Sequence, residues 1–209
     1  MAKGFRRKGR GTGATYAARL DDVERSVIVG LLVQVRELLS TVEAAAPVQA
    51  VDLTGDEFDR IVAGFDSAET PGRADPTYAR DPALHRLLPT GTTEDPDLAA
   101  QFRARTEQSL VARKVANLDT AIAALGAGTT GQVRLGKPEA VALVVALTDV
   151  RLVLADRLGV DTEDDAGRVH DVVAGASPAD GHDVSFVHAA AVYEFLAWLQ
   201  ETLAEALQT

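Results

Sequence analysis

The chain has 209 residues, a hydrophobic content of 46% and a formal net charge of −10 at neutral pH. That length suits one domain with an ample core, and the lack of cysteine excludes disulfides, thiolate metal sites, thiol nucleophiles and a thiol redox switch within the chain. No stretch reaches the ~18 to 20 uncharged apolar residues of a membrane span, and the basic start lacks the apolar core of a signal peptide, so we predict a cytoplasmic protein.

The charge is distributed unevenly. Residues 3–10 contain five basic residues and no acidic one, which leaves 16 basic against 31 acidic residues elsewhere, a net charge of −15. An acidic body repels nucleic acid, so DNA contact is not expected except through this basic N-terminal arm. The arm either contacts phosphate groups or an acidic partner, or is a solubilising tail; the tail is favoured because no aromatic residue alternates with the basic ones. Its candidate contact residues are Arg6, Arg7, Lys8 and Arg10.

The first elements in chain order are a hairpin and a helix. The residues around Phe5 and the pair Thr15–Tyr16 predict two short strands, with a disordered basic tail as the alternative. Asp21 and Glu24 then form a capping box that opens a long amphipathic helix, which ends before Pro47.

A second capping box, at Thr54 and Glu57, predicts a short amphipathic helix that ends near Phe65. Residues 66–97 contain five of the eight prolines and are predicted to form a long loop. One segment of this loop, 81–89, has an Asp-Pro start and a small apolar face, which predicts one ordered helical turn or two.

Three longer helices are predicted beyond the loop. The first begins at Asp95-Pro96 and ends at Gly126, and "GQVRLG" after it predicts a short strand that adds to the hairpin. Pro138 opens an apolar helix that ends at Gly159, and the last helix covers about 185–206. We therefore predict a mainly α single domain over 1–209: a bundle of about four long helices plus short ones, a small antiparallel β element near the N-terminus, a Pro-rich loop at 66–97 and an acidic loop at 161–184.

The apolar helix carries Asp149 and Arg151 in its middle. Residues two apart on a helix point to different sides, so each needs its own partner, because a buried unpaired charge is very costly. We predict interhelical charge pairs, Arg151 with Glu194 and Asp149 with Arg25 or Arg36, ahead of a recognition site.

Tyr193, Phe195 and Trp198 have two interpretations, core packing or an anchor for a partner, and core packing is the commoner fate. Tyr193 and Trp198 are the candidate contacts. Apolar surface left over on a small helical core could also hold a second copy of the chain in a homodimer.

No catalytic or cofactor motif is found. The acidic stretch "DTEDDAG" fails as a calcium loop because its glycine is one position late and Val172 stands where a bidentate glutamate is required. The four histidines lack zinc-ligand spacing, and there is no phosphate loop or Gly-x-Ser-x-Gly. We expect no enzymatic activity, no metal and no cofactor.

Three stretches together resemble a known family: "RDPALHRLLP" at 80–89, "VVALTDVRLVLADRLGV" at 144–160 and "VYEFLAWLQETLAEAL" at 192–207. In this order and spacing they are similar to an actinobacterial family of oxidative-stress transcriptional regulators of the AosR type, long catalogued only as a domain of unknown function. The similarity covers most of the chain.

The resemblance implies a small, mainly helical cytoplasmic regulator that binds an alternative sigma factor of RNA polymerase and senses oxidation through a CxxxC thiol pair. The thiol pair has no counterpart in a chain without cysteine. The expected function is therefore transcription regulation through protein contact with a sigma factor or RNA polymerase, without a thiol switch; the alternative is a helical scaffold or homodimer with no transcription role.

Overall fold

A computed structural model describes residues 2–45, 81–89, 96–127, 131–175 and 183–209. These residues form six helices and a three-stranded antiparallel sheet near the N-terminus, which confirms the predicted mainly α fold with a small β element. The predicted helix at 54–65 and most of the Pro-rich loop lie outside the described residues, so the single-domain assignment stays a prediction.

The sheet has the order β1-β2-β3, from β1 (Lys3–Lys8), β2 (Thr15–Arg19) and β3 (Val133–Leu135). The turn between β1 and β2 requires glycine at Gly9 and Gly11, whose φ angles are 85° and 66°. The hairpin and the added third strand are both confirmed, and the disordered-tail alternative is wrong.

The first three helices are α1 (Asp22–Ala45), α2 (Pro82–Leu87) and α3 (Pro96–Gly126). At the start of α1 the capping box has formed: the Glu24 N–H donates to Asp21 Oδ1 at 2.9 Å, and the Asp21 N–H donates to Glu24 Oε2 at 2.8 Å. These reciprocal bonds fix the point at which the chain leaves β2 for the helix.

The apolar helix α4 (Lys137–Leu158) lies at the centre of the fold, as predicted. It packs against α1, α2, α3 and the last helix, α6 (Val184–Gln208), and it also contacts β2 and β3. Gly159 ends it in the left-handed conformation with φ 66°, where glycine has no steric penalty.

The prediction of an acidic loop over 161–184 is wrong for about half of that range, because residues Glu163–Gly175 form a helix, α5. The side chain of Asp165 accepts hydrogen bonds from the Thr162 N–H at 2.8 Å and the Asp161 N–H at 3.0 Å, which is an N-terminal cap that the sequence interpretation overlooked. Val169 is buried in a small cluster with Ala155, Val160 and Ala190, so one apolar face holds α5 against α4 and α6.

Within the described part of the chain, no helix combines the length and the apolar character needed to cross a bilayer.

Candidate functional site

The charged residues of α4 are the first candidate. Asp149 is only 1% exposed, and its Oδ1 pairs with Lys114 Nζ of α3 at 2.5 Å. Burial raises the pKa of the Asp149 carboxyl above its ordinary value, and the Lys114 ammonium opposes that shift. The predicted partners were wrong: Arg25 pairs with Asp22 and Arg36 with Asp119.

Arg151 was expected to pair with Glu194, and this too is wrong. Its Nη1 donates to Gln200 Oε1 of α6 at 2.9 Å, and its guanidinium carbon lies 5.2 Å from the centre of the Tyr193 ring. Gln200 donates in turn to Thr148 Oγ1 at 2.6 Å and to the Val144 carbonyl at 3.1 Å. The Arg151 guanidinium therefore joins α4 to α6 through uncharged partners, and the amide of Gln200 replaces the expected carboxylate.

Glu194 instead faces α5. Its Oε2 lies 3.1 Å from His170 Nδ1, and both side chains are partly open to solvent. Together these contacts give Asp149, Arg151 and Glu194 structural partners, each on a different helix from its own. They join neighbouring helices, which is a structural role.

The outer face of the sheet is the second candidate. In a strand, alternate side chains point to opposite faces. Phe5 of β1 is buried against the helices, whereas Arg6 and Lys8 are exposed. On β2, Tyr16 and Ala18 are buried, whereas Arg19 is exposed. The sheet therefore has an apolar inner face and a cationic outer face.

A groove of about 570 Å³ runs over this outer face, and we call it the cationic groove. The small residues Gly4 and Ala17 are among its lining residues. Its long side chains come from β1, from β2, from the residue before β3 and from α6: Lys3, Arg6, Lys8, Arg19, Gln132 and Trp198.

Register explains why the cations gather there. Arg6 of β1 lies opposite Ala17 of β2, and Arg134 of β3 lies opposite Ala17 on the other side. Lys3 lies opposite Arg19 at one end of the sheet. A central strand with a small residue between two arginines leaves room above the sheet and surrounds that room with positive charge.

Trp198 reaches the groove because α6 packs directly on the backbone of β1. The Phe5 N–H donates to Thr202 Oγ1 at 3.1 Å, and a Cβ atom on Gly4 would lie 2.6 Å from Thr202 Cγ2. Trp198, one helical turn before Thr202, is 38% exposed and contacts the Phe195 ring with centroids 5.9 Å apart. Only glycine at position 4 allows this approach, so a backbone position in β1 determines where the tryptophan lies.

The electrostatics of the groove contrast with those of the whole chain. Within the described ranges, no carboxylate lines it and no ion pair ties Lys3, Arg6, Lys8 or Arg19 to an acidic side chain. Four cations on one face of a protein with net charge −10 create a local positive potential. The arrangement suits an anionic ligand or an acidic surface.

The structure brings together three of the six predicted contact residues, Arg6, Lys8 and Trp198. Arg7 points to the opposite side of β1 and is half-buried, and Arg10 lies in the turn after the strand. Tyr193 contacts Arg151 inside the helical bundle.

Sequence reasoning left out Arg19 and Gln132. The alternation of β2 could have identified Arg19, since it has the same parity as Thr15 and Ala17. Among the described residues, no three or more acidic or histidine side chains form a group able to hold a metal ion.

Comparison with known proteins gives one match. A family model described as a domain of unknown function, DUF2017, matches residues 2–207. No curated protein and no solved structure matches the chain significantly.

Proposed function

The chain belongs to the DUF2017 family, and from that premise we propose that it is a non-enzymatic regulator of transcription that acts by contact with a sigma factor or another component of RNA polymerase. The cationic groove is its contact surface. The proposal draws the kind of partner from the resemblance to AosR-type regulators and the place of contact from the geometry.

The observation that carries the proposal is the meeting of Arg6, Lys8 and Trp198 in one groove. Tryptophan and arginine are the residues most enriched among those that dominate the energy of protein interfaces. Trp198 exposes more than a third of its surface beside cations that have no ion partner within the described ranges. Contact with another protein would cover this ring and place acidic groups beside the cations.

The absence of cysteine determines how such a regulator works. No thiol of this chain can report oxidation, so the chain itself supplies no thiol switch for its contact with the polymerase or sigma factor. Any response to oxidative stress then resides in the amount of this protein or in its partner.

Affinity capture tests the proposal. Tagged protein is recovered from native lysate with and without peroxide, and captured proteins are identified by mass spectrometry. We expect a sigma factor or polymerase subunits in equal amounts under both conditions, and a clear loss with Trp198→Ala. Arg113→Gln on α3, an exposed position outside the groove, is the matched control and should capture normally.

Recovery of this chain alone would contradict the proposal. It would favour the alternative, a helical scaffold or homodimer without a direct role in transcription.

A further inference from the structure

We infer that the cationic groove receives an extended acidic segment of the partner polypeptide. This inference rests on the proposed function, because it specifies which part of the partner the groove recognises. The resemblance assigns no such role to these residues; the charges, spacing and shape of the groove indicate it.

The spacing of the cations fits an extended peptide. Arg6 and Lys8 point outward from the same face of β1, and alternate residues of a strand are about 6.7 Å apart. Alternate side chains of a second extended chain repeat at the same distance. Acidic residues at every second position of a bound segment would therefore come into register with Arg6 and Lys8.

Arg19 extends the positive surface to the next strand. It lies opposite Lys3 in the register of β1 with β2, at the end away from Lys8, so both ends of the groove carry cations. Because these side chains have no carboxylate partner among the described residues, binding an acidic segment breaks no existing ion pair. The attraction between complementary charges is therefore not offset by the loss of contacts within the protein.

The shape of the groove favours a peptide backbone over a bulky ligand. Ala17 of the central strand contributes no side chain longer than a methyl group, so another chain can come close to the sheet at that position. Trp198 stands at the side, partly exposed and supported by Phe195, and offers an apolar surface to one large side chain of the segment. The groove thus combines a charged row with a single apolar anchor.

The same features disfavour single-stranded nucleic acid. Nucleic-acid platforms stack successive bases on several aromatic rings, whereas among the described residues that line the groove Trp198 alone is aromatic. The rest of the chain beyond the N-terminal arm carries a net charge of −15, which repels a long polyanion as it leaves the groove. A short acidic segment of a folded partner avoids most of that repulsion.

Because Trp198 is the one tryptophan of the chain, its fluorescence reports on the groove alone. The probes are a short synthetic peptide of alternating glutamate and serine, the same peptide with glutamine in place of glutamate, a short oligothymidylate and inorganic phosphate. Anisotropy of a dye-labelled glutamate peptide gives a second reading that does not depend on the tryptophan. We expect saturable binding of the glutamate peptide that weakens with added salt, and none of the glutamine peptide.

The variants locate the binding. Arg6→Gln and Arg19→Gln should each lower the affinity for the glutamate peptide about two- to fivefold, the range for a partly exposed charge pair. Trp198→Ala tests the apolar anchor with a glutamate peptide that carries one leucine, and binding is measured by anisotropy because the variant has no tryptophan. The affinity for this peptide should fall about tenfold. Arg113→Gln removes the same charge outside the groove and should leave affinity unchanged.

Three results would overturn the inference: no binding of the glutamate peptide by either reading, tighter binding of oligothymidylate, or an equal effect from phosphate alone. Failure here is distinct from failure of the proposed function. If the protein captures a sigma factor but does not bind the glutamate peptide, the proposed regulatory role stands and the acidic-segment site is refuted. A protein that binds the peptide through Arg6 but captures no polymerase component retains the acidic-segment site and loses the transcription role.

Discussion

Charged side chains occupy two very different places in this protein. In the helical bundle, Asp149 and Arg151 are matched by groups on neighbouring helices. On the sheet, Arg6 and Arg19 line an open groove without an ion partner in the described residues. The buried charges were the more conspicuous in the sequence, yet the exposed ones are those that the fold leaves available for binding.

The comparison shows that the partners of a charge indicate its role better than its position along the chain. A buried charge must be satisfied within the protein, because its desolvation cost is otherwise prohibitive. A surface cation has no such constraint, so several of them together without carboxylates are not explained by folding. The two regions should therefore respond to substitution in opposite ways: the bundle in stability, the groove in binding.

The largest loss of stability is expected from Lys114→Met. It leaves the carboxylate of Asp149 buried without its cation, which should cost about 3–5 kcal/mol of unfolding free energy. Chemical denaturation measures the change. Arg113→Met removes an exposed charge from the same helix and should alter stability by less than about 0.5 kcal/mol. A loss below about 1 kcal/mol for Lys114→Met would show that the pair is not desolvated.

Gly4→Ala should come next, with a loss of about 1–3 kcal/mol, because its methyl group requires α6 to move away from β1. The emission maximum of Trp198 should shift at the same time, since Thr202 and Trp198 move together. Gly30→Ala is the control: no atom of another described segment lies within 4 Å of its added Cβ, and alanine in a helix should stabilise the protein by up to about 1 kcal/mol. Equal effects from the two substitutions would contradict the close contact.

Arg151→Ala should destabilise by about 1–2 kcal/mol, less than a broken buried ion pair, since the group lost makes one good hydrogen bond and a cation–π contact. Combining Arg151→Ala with Glu194→Ala tests whether the two side chains interact. If Arg151 depended on Glu194, the double substitution would be less costly than the sum of the single ones. We expect the two losses to add.

Asp149 should also contribute a pH dependence to stability. Its pKa is raised on folding, so the folded state binds the proton more tightly than the unfolded state. The protonated carboxyl therefore stabilises the fold at low pH, and this stabilisation is lost as the pH rises from the ordinary pKa of 3.8 through the pKa of the folded state. The stability of the wild type relative to Asp149→Asn should therefore decline over that range. Thermal unfolding of both proteins at a series of pH values provides the test, and a rising difference would reverse the assigned direction.

The smallest effect on stability is expected in the groove. Arg6→Gln and Arg19→Gln, alone or together, should change the unfolding free energy by less than about 0.5 kcal/mol, because the fold uses neither charge. Their effect should appear only in binding. A loss above 1 kcal/mol would mean that these cations stabilise the sheet, and the contrast between the two regions would then fail.

Much of the fold was predictable because its signals are local. Capping residues set the start of α1, an Asp-Pro pair set the start of α2, and a glycine set the end of α4. The apolar pattern of α4 predicted its central place, since such a helix is stable only when surrounded. The helix α5 was missed because a dense run of acidic residues hid its cap and its narrow apolar face.

The sequence by itself determined the elements, the central place of α4 and the need for Asp149 and Arg151 to find partners, because each follows from hydrogen bonding, periodicity or desolvation within a short stretch. Only the tertiary structure decided that Lys114 and Gln200 are those partners, since the choice depends on which helices face each other. It also decided the groove: Trp198 lies nearly two hundred residues from Lys3 along the chain, and only the packing of α6 on Gly4 places the ring among the cations. Local sequence patterns do not predict such a contact, because the approach of two distant segments depends on how the elements between them pack.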